Sequence, residues 1–245
     1  MSAAGFRLNP ALDADALAAR FRAAGRLHIP DVLDPEGAAR LHGLLRASHE
    51  WRLVLNQGDK VFELDRAAQA ALDLTARARL EAAVHAAARY DFQYMFESIR
   101  VPDEDEARRQ RGDGLADFAR FLSSPETVAL LRHITGRPAI DFADAQATAY
   151  GLGHFLSAHD DAVAGKNRQA AYVYGLSPAW RPEWGGLLLF HGADGHIEEA
   201  YVPMFNSLTL FAVPQAHSVS MVAPFAAARR YSVTGWLRSS EAPGS

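Results

Sequence analysis

The sequence predicts an α+β fold, a jelly roll or related antiparallel barrel preceded by helices, and three observations carry that prediction. Up to about residue 135 the chain is rich in alanine and leucine at helical spacing, behind helix-capping side chains. From about Pro138 it changes to short β-branched and aromatic runs punctuated by Gly, Pro and Asn. Eight such runs, near 139–149, 152–160, 168–176, 186–191, 197–202, 207–212, 216–222 and 229–237, suit a barrel better than a parallel sheet. The 245 residues are enough for one large domain with a proper core. The expected organisation is a single domain over 1–245. Residues 1–135 are mainly helical support with a few strands, and 136–240 form the barrel whose face the helices cover.

In chain order, Asp13 caps a helix that Gly25 stops, and Arg26–Ile29 follows as a short strand. Asp34 and Pro35 start a second helix, with Ala38, Leu41, Leu44 and Leu45 on its apolar stripe. W-R-L-V-L and K-V-F-E-L flank N-Q-G-D as a hairpin. An alanine-rich helix over about Thr75–Arg89 leads into a strand in which Tyr90, Phe92, Tyr94 and Phe96 alternate. Residues 102–113 are charge-dense without an apolar anchor. They read as a solvated surface loop, with a mobile loop over a cleft as the sharper alternative. Two short helices then end at Gly136.

Composition excludes several classes of function. The chain has no cysteine, which removes disulfides, thiolate metal sites and cysteine nucleophiles. A net charge of -4 argues against a broad nucleic-acid footprint. The N-terminus lacks an apolar leader, and no run approaches the roughly 18 apolar residues of a membrane span. A cytoplasmic protein without nucleic-acid or membrane partners is expected.

The chemistry concentrates in Y-G-L-G-H-F-L-S-A-H-D-D, residues 150–161, read as one barrel strand. On a strand, i and i+2 share a face, so His159 and Asp161 point together and Asp160 points away. An imidazole and a carboxylate are two ligands of the 2-His-1-carboxylate triad that suits non-heme Fe(II), and His217 is the best third candidate. Arg230 and Ser232 share a face of a late strand, where a guanidinium fork beside a hydroxyl suits a carboxylate.

Taken with R-Q-A-A-Y-V-Y-G-L-S-P-A-W, N-S-L-T-L-F-A-V-P-Q-A-H-S-V and R-R-Y-S-V-T-G-W-L-R, that stretch resembles the Fe(II)/2-oxoglutarate-dependent dioxygenases, closest to their prolyl-4-hydroxylase-like branch. The resemblance covers about 139–238, with a weaker echo in R-L-H-I-P-D-V-L-D. It implies a double-stranded β-helix of the jelly-roll, cupin-like kind. His159, Asp161 and His217 would hold Fe(II), and Arg230 and Ser232 the distal carboxylate of 2-oxoglutarate. Tyr150 would add a phenol hydrogen bond; glycines 151 and 153 break its register with His159. Tyr172 or Tyr174 would reach the cavity, and Asn206 matches a recurrent family position that a turn asparagine explains nearly as well. O2 would be the other co-substrate, with ascorbate in support. His154 stands where an acidic residue is frequent in this branch, and parity turns it away from the metal. The implied reaction hydroxylates an unactivated C–H bond of a prolyl residue in a peptide or protein, or of a related small molecule, and releases succinate and CO2. Asp161 favours hydroxylation, because the family's halogenases lack that carboxylate.

Two other readings compete. A non-enzymatic cupin-like barrel accounts for the strands and histidines but not for Arg230 beside Ser232. Nucleic-acid demethylation meets the objection of the acidic net charge. Zinc would bind the same three side chains.

Overall fold

Local chemistry sets the helices. The structure, a computed structural model, describes residues 5–240. Asp13 caps α1 (Ala14–Ala24), Asp34 caps α2 (Pro35–Ala47), Asp65 caps α3 (Arg66–Ala71) and Asp73 caps α4 (Leu74–Ala87). After α5 (Asp105–Arg111), Asp113 caps α6 (Gly114–Leu122) and Ser124 caps α7 (Pro125–Thr135). Each capping oxygen accepts the otherwise unpaired N–H three residues on, worth about 1 kcal/mol. Gly25 and Gly136 end α1 and α7 at φ 68° and 65°, a left-handed turn that a side chain resists.

The strands are β1 (Arg26–Ile29), β2 (Arg52–Gln57), β3 (Lys60–Leu64), β4 (Tyr94–Arg100), β5 (Phe142–Ala143), β6 (Gln146–Tyr150) and β7 (Phe155–His159). The later ones are β8 (Arg168–Leu176), β9 (Leu188–His191), β10 (Ile197–Tyr201), β11 (Phe205–Ala212), β12 (His217–Val219) and β13 (Arg230–Arg238). All pairings among them are antiparallel, in the spatial order β1-β11-β8-β13-β6-β4-β7-β12-β9-β10, with the β2–β3 hairpin on β4 and β5 on β13. The two ends of that order, β1 and β10, meet where Arg26 pairs with Glu198 and Glu199. The result is a nearly closed antiparallel barrel with flanking helices, the architecture expected from the sequence.

Strand alternation divides the core in two. On β13, Tyr231, Val233 and Leu237 face the helices, while Arg230, Ser232, Thr234 and Trp236 face the barrel interior. The helix side is filled by Phe118 of α6, 5.0 Å from the Tyr174 ring and 5.3 Å from Phe6. Burying each such ring stabilises the fold by about 2–3 kcal/mol. The interior side is lined by Phe96, Tyr150, Leu188, Phe190, Phe211 and Val219.

Four expectations need correction. The stretch 150–161 is not one strand: β6 ends at Tyr150, a turn with Gly153 at φ 76° follows, and β7 begins at Phe155, so β6 and β7 pair with different parts of β4. The aromatic strand starts at Tyr94 rather than Tyr90, which is 85% exposed. An extra capped helix, α3, precedes α4. Residues 102–113 are not a solvated loop: they contain α5, anchored by buried Arg108. Its guanidinium donates to the carbonyls of Pro102 (2.6 Å) and Ala143 (2.9 Å) and to Ser123 Oγ (3.1 Å). The anchor is polar, so a search for apolar residues passes over it.

Candidate metal and co-substrate site

β7 and β12 are paired with His159 opposite His217, which brings their rings to 4.1 Å between centroids. β7 stops at His159, and Asp161 sits beyond it at φ 64°. Strand parity therefore does not deliver Asp161; a left-handed backbone turn does. Its Oδ1 lies 3.5 Å from His159 Nε2 and its Oδ2 3.5 Å from His217 Nε2. The three ligand atoms lie within 4.8 Å of one another, the one such cluster found among the described residues.

The backbone fixes which nitrogens are free. His159 Nδ1 donates to Ser157 O (3.0 Å) and His217 Nδ1 to Gln215 O (2.7 Å). A carbonyl only accepts, so Nε2 of each ring keeps its lone pair and points at the shared space. Burial, reinforced by neighbouring His159, pushes His217 down to about 4, which keeps it neutral. Burial raises the Asp161 carboxyl, but the neighbouring His159 and His217 rings outweigh it and hold the group below the usual range. Two imidazoles, each with Nε2 turned to the shared space, and a carboxylate make a donor set that fits Fe(II).

The same interior space holds the other predicted residues. It has a volume of about 800 Å³ and is bordered by His159, Asp161, His217, Tyr150, Arg230 and Ser232. Arg230 is 4% exposed, lies 5.0 Å over the Tyr150 ring, and its Nη1 is buried without a partner. A buried guanidinium with an unmet donor calls for an anion, and a carboxylate fits its fork. Ser232 Oγ is 2.8 Å from Thr148 Oγ1, giving a hydroxyl pair on the two neighbouring strands. Tyr150 is stacked on Phe96, and burial pushes its phenol up to about 12, so it stays a neutral donor.

Tyr172, Tyr174 and Asn206 are placed otherwise. Tyr172 borders the space, but its ring packs with the helix-side core and its hydroxyl donates to Asp144 O at 2.8 Å. Tyr174 donates to Asn206 Oδ1 at 2.8 Å. Asn206, at φ 53°, also bonds Leu33 through both N–H and C=O (3.0 and 2.8 Å) and ties the entry to α2 onto β11. These are structural contacts. His154 is half-buried in the turn between β6 and β7, outside the triad.

Two residues of the site, Arg168 and Trp236, were not read from the sequence. Arg168 donates to Asp161 O at 2.8 Å and lies 3.4 Å over the Trp236 ring. Arg168 Nε and Trp236 Nε1 are both buried without partners. Parity pointed to Trp236, which shares a strand face with Arg230 and Ser232; Arg168 has no such signal. The expected alternation of Phe92, Tyr94 and Phe96 continues into Tyr150 as a ladder of rings along one wall, at centroid spacings of 5.6, 5.5 and 5.4 Å. Phe92 begins it, 46% exposed and 5.6 Å from the His159 ring.

Residues 145–238 match the family model of the 2OG-Fe(II) oxygenase superfamily, and that span holds the triad, Arg230 and Ser232. Over those residues the chain is similar to the 2OG-Fe(II) oxygenases. Among curated proteins, it is similar to prolyl 3-hydroxylase sudestada1 of Drosophila melanogaster, 31% identical over 40% of this chain and 20% of the relative. It is also similar to prolyl 3-hydroxylase OGFOD1 of Mus musculus, 30% identical over 49% of this chain and 21% of the relative. The match thus spans about a fifth of the length of either relative. Among solved structures, a Pseudomonas putida prolyl-4-hydroxylase superposes with TM-score 0.58 at 18% identity, over 93% of this chain and all of that one. A Trichoplax adhaerens prolyl hydroxylase in complex with a hypoxia inducible factor peptide gives 0.55 at 16%, over 92% and 88%. At those identities the likeness concerns the fold. The oxygenase family uses Fe(II), 2-oxoglutarate and O2, in agreement with the donor set and with the unmet Arg230.

Proposed function

We propose that the chain is an Fe(II)- and 2-oxoglutarate-dependent dioxygenase that hydroxylates a prolyl residue of a polypeptide. The observation that carries the reading is the pairing, in one interior space, of a His-Asp-His triad with a buried arginine whose Nη1 has no partner. When bound, Fe(II) with 2-oxoglutarate and O2 supplies the oxidant for an unactivated C–H bond, and the co-substrate leaves as succinate and CO2.

The chain's own residues hold and orient. His159, Asp161 and His217 would hold the metal through their clustered ligand atoms. Arg230 takes the distal carboxylate of 2-oxoglutarate, with Ser232 and Thr148 beside it and Tyr150 donating from its phenol. Arg168 and Trp236, next to Asp161, offer two unmet N–H donors to an acceptor on the substrate, such as a peptide carbonyl. The ring ladder from Phe92 inward gives a pyrrolidine ring an apolar wall and excludes water from the oxidised carbon. A prolyl substrate is supported by the names of the curated relatives.

The test is visible absorption of metal-free protein under strict anaerobiosis, with Fe(II) added first and 2-oxoglutarate second. A charge-transfer band that needs both additions and fades in Asp161→Ala and Arg230→Ala is the expected result. Folded protein that binds Fe(II) but shows no band would instead support a cupin-like binding barrel. Aerobic turnover with a prolyl peptide, followed by chromatography of the hydrolysed product, then distinguishes 3- from 4-hydroxyproline.

A further inference from the structure

Arg26, the first residue of β1, stands at the seam of the barrel and far in sequence from the triad. Its Nε donates to Glu199 and its Nη2 to Glu198, each at 2.8 Å, and its guanidinium lies 5.0 Å over the Phe190 ring. The remaining nitrogen, Nη1, reaches Gln215 Oε1 at 3.5 Å. Gln215 is tied to both sides of the metal site. Its N–H donates to Asp160 O at 3.3 Å, next to Asp161, and its carbonyl accepts from His217 Nδ1 at 2.7 Å. The His217 ring is flanked by Phe211 and Phe190, at 4.7 and 6.3 Å between centroids. Arg26 sits opposite Phe211 in the β1–β11 register and against the face of Phe190. The guanidinium thus touches Gln215 and Phe190, two of the residues around the His217 ring.

On the footing that the triad holds iron, we propose that Arg26 is a positioning residue for His217, acting through Gln215 and Phe190. Glu198 and Glu199 hold the guanidinium in place. The glutamate pairs bridge β1 to β10 across the seam, and the contact to Gln215 is additional to them. Groups that orient a metal-bound histidine through its other ring nitrogen typically change metal affinity by about 10- to 100-fold when removed.

The experiment measures Fe(II) affinity of the metal-free protein by anaerobic calorimetric titration, alongside the thermal midpoint. Wild type, Arg26→Ala, Arg26→Lys, Gln215→Ala and the Arg26→Ala/Gln215→Ala double variant are compared. Arg26→Ala is expected to weaken Fe(II) binding about tenfold. Gln215→Ala keeps the backbone brace and weakens it about threefold, and the double variant is no worse than Arg26→Ala, as two members of one chain of contacts behave. Arg26→Lys keeps a charge for the glutamates but lacks the fork to reach Gln215; it retains the thermal midpoint and loses the affinity. Unchanged Fe(II) affinity in Arg26→Ala overturns the proposal, as do losses that simply add. If Arg26→Ala does not fold, unchanged affinity in both Arg26→Lys and Gln215→Ala overturns it equally. A wild-type protein that takes up no Fe(II) removes the iron reading itself, a result separate from any difference among variants.

Discussion

Arg108 on the helical side and Arg230 in the barrel are buried alike, at 3% and 4% exposure, yet their surroundings are opposite. Arg108 spends its donors on three carbonyls and a hydroxyl. Arg230 faces a tyrosine ring and keeps Nη1 unmet. A charge withdrawn from water is tolerated when its hydrogen bonds are replaced, and the satisfied one holds the fold. The unsatisfied one keeps a donor free for the carboxylate proposed above. Glu97, buried between Arg66 and Arg229 on the outer face of β4, belongs with Arg108 in this respect.

The sharpest way to break that distinction is to replace both arginines with an apolar side chain. Arg108→Met leaves several carbonyls without a donor and is expected to cost about 3 kcal/mol, read as a lower urea midpoint. Its 2-oxoglutarate affinity should stay within about twofold. Arg230→Met is expected to do the reverse. The ligand-free protein is as stable as wild type or more so. The anaerobic 2-oxoglutarate titration weakens by about a hundredfold, the scale of a lost charge-assisted pair. Similar destabilisation in both variants would erase the difference.

Next in size is an effect of acid on the metal-free protein. Burial holds His154 at about 4 and, with help from His159, His217 at about 4. The unfolded chain protonates both near pH 6.5. Both pKa values are depressed in the folded state, so the unfolded state binds more protons between pH 6.5 and 4. Stability is then complete above 6.5 and falls as pH drops toward 4, by on the order of 3 kcal/mol per group. His154→Phe should make the decline shallower in urea unfolding at pH 7, 5.5 and 4.5; an identical slope would count against a neutral His154.

Smaller again is the effect of the two unmet donors beside Asp161. Trp236→Phe is expected to raise KM for a prolyl peptide about tenfold with kcat and 2-oxoglutarate affinity unchanged, as fits one hydrogen bond to a substrate carbonyl. A fall in kcat alone would place Trp236 in a different role. Smallest is Ser232→Ala, expected to weaken 2-oxoglutarate about threefold, since a neutral hydroxyl contributes about 0.5–1.5 kcal/mol.

Much of the helical half was legible because its signals are local. Asp13, Asp34 and Ser124 each satisfy an N–H within one turn, and Gly25 and Gly136 end their helices by adopting a backbone that other residues avoid. The alternation of Arg230, Ser232 and Trp236 on β13 is local too, and it brought the first two to the interior as expected. Asp161 shows the limit. Two-residue periodicity gave the right partner for His159 through a strand that has already ended; a left-handed turn does the work.

By itself, then, the sequence determined where chains of short-range hydrogen bonds start and stop, which side chains share a strand face, and which residue types were available for a metal. Only the tertiary structure decided that Tyr172 spends its hydroxyl on Asp144, that Arg108 is an anchor, and that Arg168 joins Trp236 beside Asp161. It likewise decided that Arg26 of the first strand reaches Gln215 across 189 positions. The physical reason is that burial and hydrogen-bond satisfaction depend on which strands close the barrel, and strands β1 and β10 meet only once the whole sheet has curled round.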